Sequence, residues 1–237
     1  MIELRDVSYT FAQASAPILH QLSFAVQDKR VGIIGPNGCG KTTLLHLMVG
    51  LLIPDKGEVL FHGKPIATKD DLRALRKDVG FLFQNSDDQL FSPTVIEDVA
   101  FGPLNLGFPP AEAKEIAVKT LENLGLTGFE DRITHRLSGG EKKLVALATI
   151  LAMKPRMLLL DEPTNNLDPK TRSHLIEILQ GLDLYQIIIS HDWDFLSHTT
   201  SILYKIDHGH IHRCEDDHVH VHRHVHKAGD HPHHHHP

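Results

Sequence analysis

Cysteine is scarce: Cys39 and Cys214 are the two in 237 residues. One pair cannot staple a secreted scaffold, so the chain is expected to rely on a hydrophobic core in a reducing cytosol. Long apolar runs are missing too, and no stretch approaches the roughly 18 residues of a membrane span. The opening Met1-Ile2-Glu3-Leu4-Arg5-Asp6 lacks the basic-then-apolar order of a signal peptide. Work at a membrane is therefore expected to be peripheral, on its cytoplasmic face, with something else holding the chain there. Positive charge is also short, with 24 Lys and Arg against 30 Asp and Glu and a formal charge of −6. That balance argues against nucleic acid as a partner.

What is present suits a globular chain: 41% hydrophobic and 23% charged residues, in a length ample for one core. One residue type is out of line. Histidine numbers 20, and 13 of these lie between His208 and His236. A body, residues 1–207, is therefore read apart from a histidine-rich tail, residues 208–237.

Ile2 to Tyr9 alternates apolar and charged residues and reads as a strand; a second strand follows near Ile18 to Val26. Val31-Gly32-Ile33-Ile34 reads as a short buried strand running into Gly35-Pro36-Asn37-Gly38-Cys39-Gly40-Lys41-Thr42-Thr43 and then an apolar helix. Strands are predicted at Glu58–His62 and Val79–Phe83, with a charged connection between them. From Gln84 to Met153 the pattern turns helical. Pro109-Pro110 opens a helix whose Ala113, Ala117, Leu121 and Leu124 share a face before Gly125 stops it. A further helix runs from about Gly140 to Met153. Apolar strands return at Met157–Leu160 and Gln186–Ser190, with a helix near Thr171–Gly181. The fold predicted is a parallel α/β core interrupted by a helical insertion at about 85–153.

Gly35 to Thr42 matches G-x-x-x-x-G-K-[ST] at every fixed position. Glycines let the backbone wrap a phosphate, N–H groups donate to it, and Lys41 neutralises its charge. Thr42 offers a hydroxyl to Mg²⁺. Strand before and helix after supply the context that a chance glycine turn would lack. Asp161-Glu162 follows the run Met157 to Leu160. Alone, the pair fits a capping turn as well as a catalytic one; downstream of a phosphate loop, one carboxylate can hold the metal and the next can polarise water.

Leu137-Ser138-Gly139-Gly140-Glu141 opens the second inserted helix with a backbone anion site. With the phosphate loop and Asp161-Glu162, it resembles the signature sequence of ABC-type ATPases. Gln84 falls at the Q-loop position, Asn165-Asn166-Leu167-Asp168 at the D-loop and Ser190-His191-Asp192 at the switch histidine, while Tyr9 matches the aromatic that stacks on adenine. The resemblance covers roughly residues 1–210. It implies a P-loop NTPase (RecA-like) core with an antiparallel N-terminal portion and an inserted signature subdomain. It also implies ATP and Mg²⁺ bound in a head-to-tail dimer, of identical subunits or of paralogues. In each shared site Lys41, Thr42, Gln84, Asp161, Glu162 and His191 would come from one subunit. Ser138, Gly139, Gly140 and Asp168 would come from the other. Glu162 would be the general base, with His191 on the γ-phosphate and Gln84 beside the metal. Glu141 stands where Gln is usual, and Leu144 where Arg is common; both lie outside the anion site.

The stretch from Gln84-Asn85-Ser86-Asp87-Asp88-Gln89-Leu90-Phe91 through Thr94 to Pro103 is similar to that of energy-coupling-factor transporter ATPases. The resemblance implies that Asp87–Pro103 receives a transmembrane coupling protein. In the tail, His218, His220, His222, His224 and His226 alternate, and i, i+2 side chains of an extended chain share a face. Imidazoles suit Ni²⁺ and Co²⁺. A purification tag would more usually be an uninterrupted block, and a core strand would need an apolar face. Together these features resemble the nickel/cobalt importers of the energy-coupling-factor group (NikO/CbiO type), which add small membrane metal-binding subunits. Three other readings each need a feature that sets them apart. A nickel-insertion GTPase needs [NT]-K-x-D, for which Thr68-Lys69-Asp70-Asp71 is the candidate, lying before Asp161 in a charged connection. An ABC protein of chromosome maintenance or translation needs a coiled-coil insertion or a second ATPase module. A metal store has no use for the catalytic set.

Overall fold

The computed structural model describes residues 1–214. The chain opens with strands β1 (Ile2–Tyr9), β2 (Leu19–Ala25) and β3 (Arg30–Ile34), then helix α1 (Lys41–Met48). Strands β4 (Lys56–Phe61) and β5 (Lys64–Pro65), helix α2 (Lys69–Asp78) and strand β6 (Val79–Leu82) follow. The helical insertion comprises α3 (Val95–Asn105), α4 (Pro110–Asn123) and α5 (Gly139–Leu151). The core resumes with β7 (Met157–Asp161), α6 (Pro169–Gly181), β8 (Tyr185–Ile189), α7 (Trp193–Thr199), β9 (Ile202–Asp207) and β10 (His210–Arg213).

Two sheets result. One is antiparallel, in the order β2-β1-β4-β5; the other runs β10-β9-β3-β8-β7-β6 and is parallel except for the β9–β10 hairpin. Parallel strands are covered on both faces, and β7 accordingly reads Met-Leu-Leu-Leu-Asp with every residue buried. Period-two alternation then divides the core. Met157, Leu159, Ile187 and Ile189 face α1 and the antiparallel sheet, while Leu158, Leu160 and Ile188 join the inserted helices and α6. Helix α5 approaches β6 closely because position 80 is glycine, where a Cβ would collide with the Ile150 side chain. Among the described residues, no helix is long and apolar enough to cross a membrane.

The structure departs from the sequence reading in places. The charged connection after β5 holds α2. Thr68 and Asp71 close a capping box at its start, while its core-facing side buries only Leu75, too thin an apolar stripe to show in the pattern. Helix α3 lies within the stretch read as helical, whereas α7 has no counterpart in the sequence reading. The boundary expected after residue 207 falls inside a hairpin: His208 (φ 47°) and Gly209 (φ 78°) form its turn, and β10 pairs Ile211 with Ile206. His210 and His212 therefore belong to the sheet and His208 to its turn, because Ile211 supplies the apolar residue that seats the strand. The tail histidines His218, His220, His222, His224 and His226 lie outside the described residues.

Candidate nucleotide site

The glycine loop joins β3 to α1. Gly40 is the N-cap of α1 in the left-handed region (φ 104°) and offers no side-chain cap, so the first N–H groups of the helix are left for an anion. Lys41 folds its ammonium back across the loop and donates to the carbonyls of Gly35 at 2.8 Å and Pro36 at 2.9 Å. Pro36, Asn37 and Gly38 form the open rim, Cys39 is a free half-buried thiol, and Thr43 is buried behind the helix start.

At the tip of β7, Asp161 is 2% exposed. Its Oδ2 accepts from the Thr42 hydroxyl at 2.8 Å, while its Oδ1 is buried with no hydrogen-bond partner. A buried carboxylate oxygen with no donor, beside a hydroxyl at the start of a phosphate-type loop, fits a hard cation with oxygen ligands such as Mg²⁺. Burial pushes the Asp161 carboxyl above its ordinary range, opposed by the Thr42 hydrogen bond and by His46, Lys41 and Lys143 nearby. Glu162 follows with φ 46°, a left-handed conformation that is strained for a glutamate, its N–H held by the carbonyl of Ile189. That turn places its carboxylate against the switch loop, 3.3 Å from His191 Nε2, with the His191 N–H donating to Oε2 at 3.3 Å. Burial raises the Glu162 pKa, and His191 works against it. A carboxylate with raised proton affinity suits a base for water at neutral pH.

Tyr9, at the end of β1, stacks edge-on with Phe11 at 5.1 Å, and its carbonyl accepts from Ile18, whose side chain lies beside Gly40. Phe11 widens the aromatic surface at this corner and escaped the sequence reading. Gln84 is exposed just beyond the end of β6.

The remaining site residues gather elsewhere in the chain. Ser138 caps α5 in a closed box: its N–H donates to Glu141 at 2.8 Å and its hydroxyl accepts from the Glu141 N–H. Arg132 holds the other Glu141 oxygen at 2.9 Å. The carboxylate at position 141 is thus consumed in capping, which accounts for Glu in place of Gln there; Leu144 is buried in the core. A Cβ on Gly139 would lie 3.9 Å from the carbonyl of Asn166, and one on Gly140 would lie 3.1 Å from Thr171. Asp168 caps α6 and accepts from Thr171 Oγ1 at 2.6 Å, which holds its carboxyl below the usual range. Gly139 and Gly140 at the start of α5 therefore pack against the loop and first turn that Asp168 caps. Arg172 was also missed in the sequence. From α6 it grips Asp192 through two hydrogen bonds, at 2.6 and 2.8 Å, and Asp194 at 2.7 Å, tying the loop of Asp168 to the loop of His191.

The GTPase rival loses its motif here. Thr68 and Asp71 bond to each other at 2.6–3.2 Å as the cap of α2 and have no free side chain to read a base. Among the described residues, no group of three or more His, Cys, Asp or Glu is arranged to hold a metal ion.

Strand, glycine loop and helix, with an acidic pair at the tip of a neighbouring buried strand, define a P-loop nucleoside triphosphatase. The chain belongs to the ABC transporter family, whose profile matches residues 19–165. It is 47% identical over 216 residues to the energy-coupling factor transporter ATP-binding protein EcfA of Methanothermobacter thermautotrophicus, covering 89% of this chain and 69% of that protein. In fold it is similar to cbiO1 from Clostridium perfringens, part of the ABC transporter complex cbiONQ (TM-score 0.77, 33% identity, 89% and 86% of the two chains). It is also similar to an ATP-binding cassette solved as a dimer in a post-hydrolysis state with ADP and Pi (TM-score 0.80, 27% identity, 90% and 97% covered). The chain is thus an ABC-type ATPase, the ATP-binding subunit of a transporter of the ABC/ECF type.

Proposed function

We propose that this subunit powers uptake of nickel or cobalt through membrane partners, working as a dimer on the cytoplasmic face of the membrane. The observation that carries the catalytic part is Glu162 held against His191 beside the Thr42–Asp161 pair. Thr42, Asp161 and Gln84 would hold Mg²⁺, which when bound screens the phosphate charge. Gly35 to Thr43 wraps the phosphates, and Tyr9 with Phe11 supports the adenine. Glu162 takes the proton of the attacking water as the water oxygen bonds the γ-phosphorus. The bond from that phosphorus to the β–γ bridging oxygen breaks, leaving ADP with the bridging oxygen and phosphate with the water oxygen. His191 keeps the carboxylate aimed and faces the γ-phosphate. The partner copy supplies the Ser138–Gly140 helix start and Asp168.

Docking on the membrane partner is supported by an exposed apolar rim. Phe91 is 67% exposed and stacks edge-on with Phe101 at 4.8 Å; beside Phe101 a groove runs over Ser92, Pro93 and Ile96. The buried Asp98 carboxylate accepts from the Phe91 and Ser92 N–H groups, so the rim is held outward by design of the backbone. Asp87 is already engaged by Lys142 at 2.6 Å, so Asp88 and Phe91 make the cleaner test. Replacing both, Asp88→Lys with Phe91→Ser, should weaken assembly with the membrane subunits by roughly 30-fold or more, the worth of a buried aromatic anchor. Hydrolysis by the isolated subunit should be unchanged; an equal loss there would contradict docking.

The cargo reading rests on the alternating tail histidines and on the likeness to cbiO1. Because β10 completes the core sheet, the tail is removed cleanly only by a cut after Cys214. Radioactive nickel uptake by the complete transporter should then fall at scarce metal and be preserved at abundant metal. Identical uptake at every concentration would reduce the tail to a bystander. Bound metal should leave the tail as pH falls below about 6.5, where imidazole protonates.

A further inference from the structure

Helix α5 buries an apolar face made by Leu144, Val145, Leu147 and Ala148, yet Lys143, in the same turn as Leu144, is only 3% exposed. Among the described residues its ammonium forms no ion pair; Asp161 is the carboxylate whose charge it senses, from beyond contact distance. An ammonium kept out of water without an ion pair is costly and survives only where hydrogen bonds compensate. Here it donates to the carbonyls of Phe83 at 3.1 Å and Gln84 at 2.7 Å. These carbonyls lie just past Leu82, the last residue of β6 paired with β7, where the strand ladder no longer provides donors.

The rest of residues 83–89 is fastened to the same helix. The Gln89 amide donates to the Ala146 carbonyl at 2.7 Å and to the Thr149 hydroxyl at 2.9 Å, and its oxygen accepts from the Phe83 N–H at 3.3 Å. Residues 83–89 therefore lie along the helix that Ser138 begins, with Lys143 at their inner end and the Phe91 rim beyond their outer end.

We infer that Lys143 is a positioning residue, whose ammonium fixes Gln84 to the signature helix so that the docking rim, the signature and the metal side of the nucleotide site move as one body. The inference rests on the reading of Gln84 as a metal-side ligand and deepens it. Without the ammonium, the carbonyls of Phe83 and Gln84 lose their donor, and Gln84 is free to shift with neither sheet nor helix holding its backbone.

The test is Lys143→Met in the full chain, which keeps length and loses the charge. Mn²⁺ binding in the presence of ATP, read by electron paramagnetic resonance in a Glu162→Gln background, should weaken roughly 10-fold, in the range for partners that orient a metal ligand. ATP hydrolysis should fall through kcat with KM for ATP little changed. The melting temperature should change little, because relief of a desolvated ammonium offsets the two carbonyls left without their donor. Gln84→Ala should weaken Mn²⁺ in the same assay. If Gln84→Ala weakens it and Lys143→Met does not, Lys143 is merely structural and the inference fails alone. If neither does, the reading of Gln84 fails and takes the inference with it. Should Lys143→Met not fold, hydrogen exchange in the unaltered protein decides. Residues 83–90 and the first turns of α5 should gain protection together on adding ADP with Mg²⁺, and protection of one without the other would overturn the inference.

Discussion

Glu162→Gln should lower ATP turnover by roughly 10²- to 10⁴-fold, the usual contribution of a positioned general base, while leaving ATP affinity essentially unchanged. The amide keeps the volume and the oxygen that accepts from the His191 N–H at 3.3 Å, so the switch loop has no reason to move. What it loses is the ability to take a proton from water. ATP bound without hydrolysis should hold the dimer closed, so the variant should run as a dimer with ATP on size exclusion and as a monomer without it. Near-normal turnover would remove Glu162 from the role of base.

The same substitution has a second, opposite effect. Burial raises the Glu162 pKa, so the folded protein binds that proton more tightly than the unfolded chain. Stability from this group is full at pH below the ordinary glutamate range and is lost as pH rises through the raised value. Glutamine carries no such penalty. Glu162→Gln should therefore melt higher than the unaltered protein at neutral pH, with the gap closing as pH falls below the ordinary carboxylate value. Loss of turnover with a gain in stability is the pattern of a strained catalytic group, and the left-handed backbone at Glu162 is a further sign of it.

The parts of this site that lay open in the sequence are those that chemistry requires to be contiguous. Gly35 to Thr42 must be one loop because one phosphate is wrapped by one run of N–H groups. Asp161 and Glu162 could be placed because four apolar residues before them announce a buried strand. The parts that stayed hidden depend on approach across the fold. Lys143 reaches carbonyls 59 and 60 residues away, and Arg172 reaches a carboxylate 20 residues away; each reads locally as an ordinary helical cation. Helix α2 was masked by its charge. The β9–β10 hairpin was masked by histidines that belong by composition to the tail, although His208-Gly209 has the left-handed residues a tight turn needs.

Lys41→Ala should act on binding where Glu162→Gln acts on turnover. The ammonium is nearly buried and already gathers the loop, donating to the carbonyls of Gly35 and Pro36. Those bonds leave a third N–H free, aimed by the loop that a phosphate would occupy. Truncating one partner of a desolvated charge pair costs about 2–5 kcal/mol, so ATP affinity should fall by roughly 30-fold or more. The fold should survive, because Pro36 sits on the exposed rim and water can replace the donor its carbonyl loses. The dependence on phosphate number is the sharper test. Titration calorimetry with Mg²⁺ in a Glu162→Gln background, where nothing turns over, should show the largest loss for ATP and a smaller one for ADP. AMP has no β- or γ-phosphate for the ammonium to meet, so its weak binding should be unchanged. An equal loss for AMP would mean that the loop had collapsed rather than lost a charge.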